Sequence, residues 1–463
     1  MYLSRFVIED VKCFGQVELD FLRHEGEVKR WSVILGENGT GKSTLLQAIA
    51  MALMGPDPAN RLRRPDGWVR TGCMTGRLVA EILPGQSDQL TGGGRPRTQT
   101  SYKASYAITG TVEVDIGGVL YDRPTIVFDG TRSQLNALKR GPLSEKSAGW
   151  FAAGYGPFRR LRGGSVDATR LMYPGQKEAR FVTLFREDAA LEDLDEWLKN
   201  LDHRSNENSD VGKRARQVRD LVGTVTGHLL PEGVRLARIG PDGAFFNTPY
   251  SQETPMPELS DGYRAMLALA ADLLRRLDET FERTEDWVDG EGKIVAEGVV
   301  LIDELDAHLH PVWQREIGFW LKERFPNMQF IVATHSPFIP QAADTDAIFV
   351  LRQQMPEADR VAAYQDEPSV LGWRVEQILH VLFNLSGTRD PETERKMRRY
   401  AELQARAAAG TLWESNELSE LSAWLDAHLS PPGDTADEMR KYRDIQQQVE
   451  VLAQRLRGSG KNA

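Results

Sequence analysis

Only two cysteines, Cys13 and Cys73, occur in the 463 residues, and no CxxC pair is present. A structural zinc site or a disulfide framework needs more than that, so neither organises this chain, and a reducing cytoplasm is its natural setting. Long apolar runs are missing as well. No stretch of 18 apolar residues occurs, and the opening MYLSRFVIEDVKCF lacks an apolar core followed by a small-residue cleavage site. The expectation is a soluble chain that is neither secreted nor membrane-bound. Positive charge is not in excess either: the formal net charge is −10, which excludes a uniformly basic coat for nucleic acid.

What is present is an ordinary globular composition, 41% hydrophobic and 27% charged. The basic residues are unevenly spread. Residues 61–103 carry eight Lys or Arg against three acids, among them Arg61, Arg63, Arg64, Arg95 and Arg97, and residues 130–164 carry seven against Glu145 alone. Such clusters suit a patch for nucleic acid or an acidic partner. They serve equally as solvated loop charges, and Arg159 and Arg160 could instead serve a nucleotide.

The chain opens as two strands around a turn, Leu3–Val11 and Val17–Phe21. A third apolar run, residues 31–35, stops at Gly36-Glu37-Asn38-Gly39-Thr40-Gly41-Lys42-Ser43-Thr44, and a helical pattern follows. This matches GxxxxGK[ST] between a strand and a helix. The glycines let backbone N–H groups close around phosphate, Lys42 reaches the outer phosphates, and Ser43 is placed to ligate magnesium. ATP with Mg2+ is the expected ligand pair.

Downstream, the buried-type strand Val299–Ile302 runs into Asp303 and Glu304. Acids after a strand are often just a solvated helix cap. Paired with the glycine loop, they read as a magnesium aspartate (Asp303) and a general base (Glu304). The segment Leu259-Ser260-Asp261-Gly262-Tyr263 opens an apolar helix, where a serine hydroxyl and glycine amides form a second anion site. Asp306 follows the acids directly, and the strand Phe330–Ala333 ends at Thr334-His335-Ser336-Pro337. A neutral His335 can bond a γ-phosphate or an attacking water. His308 and His310 lack further ligands for a metal and read as structural or interface residues.

In this order, the motifs resemble those of ABC-type ATPase heads of the SMC-like and OLD-like group. The phrases VLIDELDAHLHPVWQ and FPNMQFIVATHSP look most like stand-alone ATPases of anti-phage systems of the Septu, PARIS and retron-associated types. The resemblance implies an α/β head with a mostly parallel core sheet, an antiparallel β insertion, a helical lobe and a C-terminal helical region. It implies that Ser260, Asp261 and Gly262 act in trans as the signature, that Asp306 is the D-loop residue and that His335 is the switch histidine. It further implies a homodimer closed through ATP, with a higher oligomer open, and a separately encoded effector. A housekeeping DNA-repair ATPase and a slow ATP-gated scaffold are the competing readings.

The expected boundaries are a head over residues 1–370, with the insertion at about 55–130 and the lobe at about 180–283. Residues 371–463 form the helical region, an interaction or oligomerisation element ending in a short heptad-like seam from Tyr442 to Leu456. Two departures stand out. Where the family places a glutamine after a strand, this chain offers Tyr155, with Gln176 as a fallback. The acidic Glu282–Glu291 stretch reads as a surface excursion, and Gln86–Thr100 as a mobile loop.

Overall fold

The structure is a computed structural model describing residues 1–428, except 63–65, 98–99, 110–112, 117–118, 123–124, 145–147, 160–163, 173–175, 192, 230–233, 241, 282, 290–292, 355–359, 366–368, 386, 388 and 409–415. The chain starts with the hairpin β1 (Tyr2–Val11) and β2 (Phe14–Asp20), then β3 (Trp31–Gly36) and α1 (Lys42–Met54). There follow α2 (Pro56–Leu62), β4 (Thr75–Leu83), β5 (Tyr102–Thr109), β6 (Glu113–Ile116), β7 (Val119–Asp122), β8 (Thr125–Phe128) and α3 (Arg132–Arg140). Then come β9 (Phe151–Tyr155), α4 (Val166–Leu171), α5 (Val182–Phe185), α6 (Asp193–Ser205) and α7 (Asp210–Leu229). A small sheet of β10 (Arg235–Gly240), β11 (Gly243–Asn247) and β12 (Thr254–Pro255) precedes α8 (Asp261–Thr280). The last elements are β13 (Gly298–Ile302), α9 (Pro311–Arg324), β14 (Met328–Ala333), β15 (Ile348–Gln353), β16 (Val361–Tyr364), α10 (Val375–Val381), α11 (Pro391–Ala408) and α12 (Asn416–His428).

Eleven strands form one sheet in the order β8-β5-β4-β1-β2-β16-β15-β3-β14-β13-β9. From β15 to β9 all neighbours are parallel, whereas β8 to β2 are antiparallel. The expected α/β architecture is therefore present, and the antiparallel insertion extends the core sheet through β4 and β5. Alternation along the parallel strands divides the interior. Val300 and Ile302 of β13 join Trp31, Val33 and Leu35 of β3 on the face covered by α6 to α9. Val299 and Leu301 join Ile34 and the buried length of α1 on the other. A sheet covered on both faces demands continuous apolar strands, which is why residues 299–302 and 330–333 read as unbroken runs.

Several loop expectations change. Residues 86–97 are anchored, because buried Asp88 accepts the backbone N–H groups of Gly85 (2.7 Å) and Trp150 (2.5 Å). The acidic stretch before β13 is pinned too: Trp287 is fully buried, and Val288 bridges to Ile294. In both cases one residue carries the anchorage, a buried amide acceptor or a buried ring, against the composition of its neighbours. The helical lobe also contains the three-stranded β10–β12 sheet, which charged and polar residues concealed.

The chain divides into two compact units, Met1–Asn384 and Leu385–Ala463. Within the second, Arg399 of α11 holds Glu417 of α12 at 2.8 and 3.0 Å, and Lys396 lies 3.6 Å from the Trp424 ring centre. The seam from Tyr442 to Leu456 lies outside the described residues.

A buried glutamine joins the parallel core to the antiparallel wing. The side-chain amide of Gln329 on β14 accepts from the Leu3 N–H at 2.8 Å and donates to the Leu3 carbonyl at 2.9 Å. A Gln329→Met substitution keeps the volume but orphans both backbone groups. The expected cost is about 1–3 kcal/mol per group, read as a lowered denaturation midpoint with an unchanged slope.

Candidate functional site

The phosphate loop runs from the end of β3 to the start of α1. Gly39 (φ 81°) and Gly41 (φ 90°) lie in the left-handed region. A Cβ on Gly41 would meet the Cys13 sulfur at 2.7 Å and the Phe14 ring at 2.8 Å, so both conformation and space require glycine there. Glu37, Asn38 and Gly39 form the exposed rim, while Thr40 is buried and donates to the Glu37 carbonyl at 2.8 Å. The buried Lys42 ammonium donates to the carbonyls of Gly36 (2.8 Å) and Glu37 (3.0 Å), placing its charge over the loop. Burial lowers its pKa, and the nearby Asp303, Glu304 and Asp306 oppose that shift. Ser43 and Thr44 sit in the first turn of α1, Ser43 exposed and Thr44 half-buried.

The acidic turn follows β13, separated from β3 by β14 alone. Asp303 is buried, and burial pushes its pKa up. The Ser43 hydroxyl, Lys42 and the Glu304 backbone pull it back, while the Glu304 charge adds to the rise. Its Oδ1 has no hydrogen-bond partner. An unpartnered buried carboxylate oxygen beside a serine hydroxyl is a hard-oxygen donor set, which fits magnesium. Among the described residues there is no group of three or more His, Cys, Asp or Glu arranged for a metal. The Nδ1 of His310 accepts from the Val312 N–H at the start of α9.

Glu304 is half-buried with φ 45°, and His308 has φ 65°. These two left-handed non-glycine residues bracket the turn that carries Asp306. The Oδ1 of Asp306 accepts from the Thr334 hydroxyl (2.5 Å) and the His335 N–H (3.3 Å). Gln314 closes the circuit, donating to the Leu309 carbonyl (2.9 Å) and accepting from the Ser336 hydroxyl (2.7 Å). The backbone of His335 is thus fixed on both sides while its side chain stays exposed.

Ser260 is the N-cap of α8, yet its side chain makes no capping hydrogen bond and the residue is exposed. Asp261 is exposed and paired with Arg264, whose hydrogen bond and then charge lower its pKa. A Cβ on Gly262 would meet the His308 carbonyl at 2.8 Å, so glycine lets the α8 N-terminus pack against the turn that carries Asp306. Tyr263 and Trp313 add a ring contact at 4.9 Å.

Tyr155 turns away from this edge. Its fully buried ring points to α8, where the hydroxyl donates to Asp272 Oδ2 at 3.0 Å, and only its carbonyl meets the acidic turn, accepting from Asp303 N–H at 2.8 Å. The phenol is committed to a buried carboxylate, which corrects its reading as the side chain standing in for the family's glutamine. Gln176 is exposed. In the basic patch, Arg61 binds the buried Glu178 at 2.6 and 3.1 Å, which compensates its charge. Arg95 and Arg97 are both exposed, on one loop, while Arg63, Arg64 and Arg160 lie outside the described residues. Sequence reasoning missed the buried role of Arg159, whose guanidinium lies under the acidic turn.

A phosphate loop and a strand-end acid pair gathered at one sheet edge, with His335 at the end of the strand between them, define a nucleoside triphosphatase of the P-loop class. Residues 148–339 match a family model described as "AAA domain, putative AbiEii toxin, Type IV TA system", and residues 5–103 match an "AAA domain" model. The chain is an AAA-family ATPase. Over 380 residues it is 26% identical to the Septu protein PtuA of Bacillus mycoides (strain KBAB4), covering 82% of this chain and 44% of that protein. Over 189 residues it is 32% identical to the Retron Ec83 probable ATPase of Escherichia coli, covering 40% and 31%. The chain spans under half the length of these curated relatives. A solved Smc head bound to the C-winged helix domain of ScpA is 18% identical with a TM-score of 0.48, covering 79% of this chain and 98% of its own. No helix among the described residues is long and apolar enough to cross a membrane.

Tyr155→Phe should leave Asp272 Oδ2 unpaired and cost about 1–3 kcal/mol of stability. The KM for ATP and the magnesium dependence should hold; a shift in magnesium dependence would return Tyr155 to nucleotide sensing. Glu304→Gln should bind ATP while losing turnover by about 10²-fold or more, measured by phosphate release beside equilibrium nucleotide binding.

Proposed function

We propose that the chain is the ATP-hydrolysing regulator of an anti-phage defence system, working in the cytoplasm as a homodimer closed on ATP and controlling a separate effector protein. Glycine-loop amides and Lys42 hold the phosphates. Ser43 and Asp303 hold magnesium, which screens phosphate charge when bound. Glu304 takes the proton as water oxygen bonds to the γ-phosphorus and the bond to the bridging oxygen of ADP breaks. His335 bonds the γ-phosphate or the water.

The observation that carries the dimer is the uncommitted, exposed Ser260 at the N-terminus of α8. Helix N–H groups and a free hydroxyl form an anion site, and this chain already supplies a phosphate loop on another element. A partner's nucleotide is the natural occupant. The defence role is supported by the Septu and retron relatives. Nucleic acid binding rests on less, since Arg61 is already paired with Glu178 and two of the other four patch arginines lie outside the described residues.

Chains carrying Ser260→Arg and Lys42→Ala should each be inactive alone. Mixed, they form dimers with one intact and one doubly defective site, restoring roughly a quarter of wild-type turnover if sites fire independently. No restoration at any mixing ratio would favour a site complete within one chain. In cells, Glu304→Gln should abolish any phage protection given by the chain with its neighbouring genes; protection that survives removes the link between hydrolysis and defence.

A further inference from the structure

Arg159 lies four residues beyond β9, in a segment whose arginines read from sequence as solvated loop charges or nucleotide contacts. Its side chain is not a solvated one. Arg159 is buried, and its guanidinium donates only to carbonyls: Nη1 to Gly156 (3.2 Å) and Asp303 (3.2 Å), Nη2 to Glu304 (3.1 Å) and Leu305 (3.4 Å). Three of these acceptors are consecutive residues of the acidic turn. In an extended strand, successive carbonyls point to opposite sides and cannot share one donor group. They converge here because Glu304 takes the left-handed conformation at φ 45°. For a residue with a Cβ that conformation is unfavourable, so something must hold it.

We propose that Arg159 is a positioning residue for hydrolysis: its planar fork gathers the carbonyls of Asp303, Glu304 and Leu305, and so fixes the direction in which the Glu304 carboxylate leaves the backbone. The fourth bond, to Gly156, holds the side chain against the end of β9, which pairs in parallel with β13. Burial costs the guanidinium part of its proton affinity and lowers its pKa to about 10, with Asp306, Asp303 and Glu304 opposing the shift, so it stays charged at neutral pH. A lysine could supply the charge there but not four in-plane bonds. Arg159 spends its side-chain hydrogen bonds on these carbonyls and acts through Glu304.

The inference rests on Glu304 being the base, and the experiment separates the two. If the wild-type chain shows no turnover, or Glu304→Gln keeps it, that assignment fails whatever Arg159 does. Given an active wild type and an inactive Glu304→Gln, Arg159→Ala and Arg159→Lys are compared for ATP affinity, with fluorescent ATP analogue, and for kcat. Both should bind nucleotide within a few-fold of wild type, while kcat falls on the order of 10²-fold from a misplaced base. Millimolar guanidinium should restore part of the Arg159→Ala kcat, where equal ammonium should not. If Arg159→Ala does not fold, Arg159→Lys decides alone. A wild-type kcat in either folded variant, or ATP affinity lost in step with kcat, overturns the proposal.

Discussion

Two parallel strands, β3 and β13, end at the same edge of a sheet buried on both faces, with β14 between them. That alignment brings Lys42 and Ser43 from one chain segment beside Asp303 and Glu304 from another some 260 residues later. Everything chemical follows from it. Burial lowers the pKa of Lys42 and raises that of Asp303, disfavouring both charges, and each group's charge opposes the other's shift. An anionic phosphate and a divalent cation satisfy both.

Around this pair the chain keeps its backbone under unusual constraint. Glu304 and His308 adopt left-handed conformations within one turn, and the turn is held from three sides. Arg159 grips its carbonyls from β9, Asp306 locks onto Thr334 and His335 beyond β14, and the Gly262 end of α8 packs on the His308 carbonyl. Strain concentrated at one place and over-determined by its surroundings is the expected signature of a site that must be pre-organised. The contact at Gly262 is suggestive in another respect. A partner's phosphate arriving at Ser260 would press on the turn that carries Asp306.

Much of this was legible in the chain itself. The glycine loop, the acid pair and the Thr334–Pro337 run with His335 have local signatures, because each is a short run whose neighbours in sequence are its neighbours in space. Strand ends were readable for the same reason: β3 and β13 are continuous apolar runs closed by Gly36 and Asp303. What stayed hidden depends on contacts across the fold. Nothing near Tyr155 indicates that its hydroxyl meets Asp272, 117 residues away. Arg159 reads in sequence as one more loop arginine until β13 is laid beside β9. Asp88 and Trp287 sit in polar and acidic stretches and were submerged by their surroundings.

The account stands or falls on the nucleotide being shared between two chains. The direct measurement is ATP turnover per chain across a wide dilution series with saturating magnesium and ATP. A composite site predicts that turnover per chain falls steeply at low concentration, where the ATP-bound chain separates, and rises to a plateau as dimers fill. Turnover per chain that is constant at every dilution, with an ATP-bound monomer in solution, would contradict it.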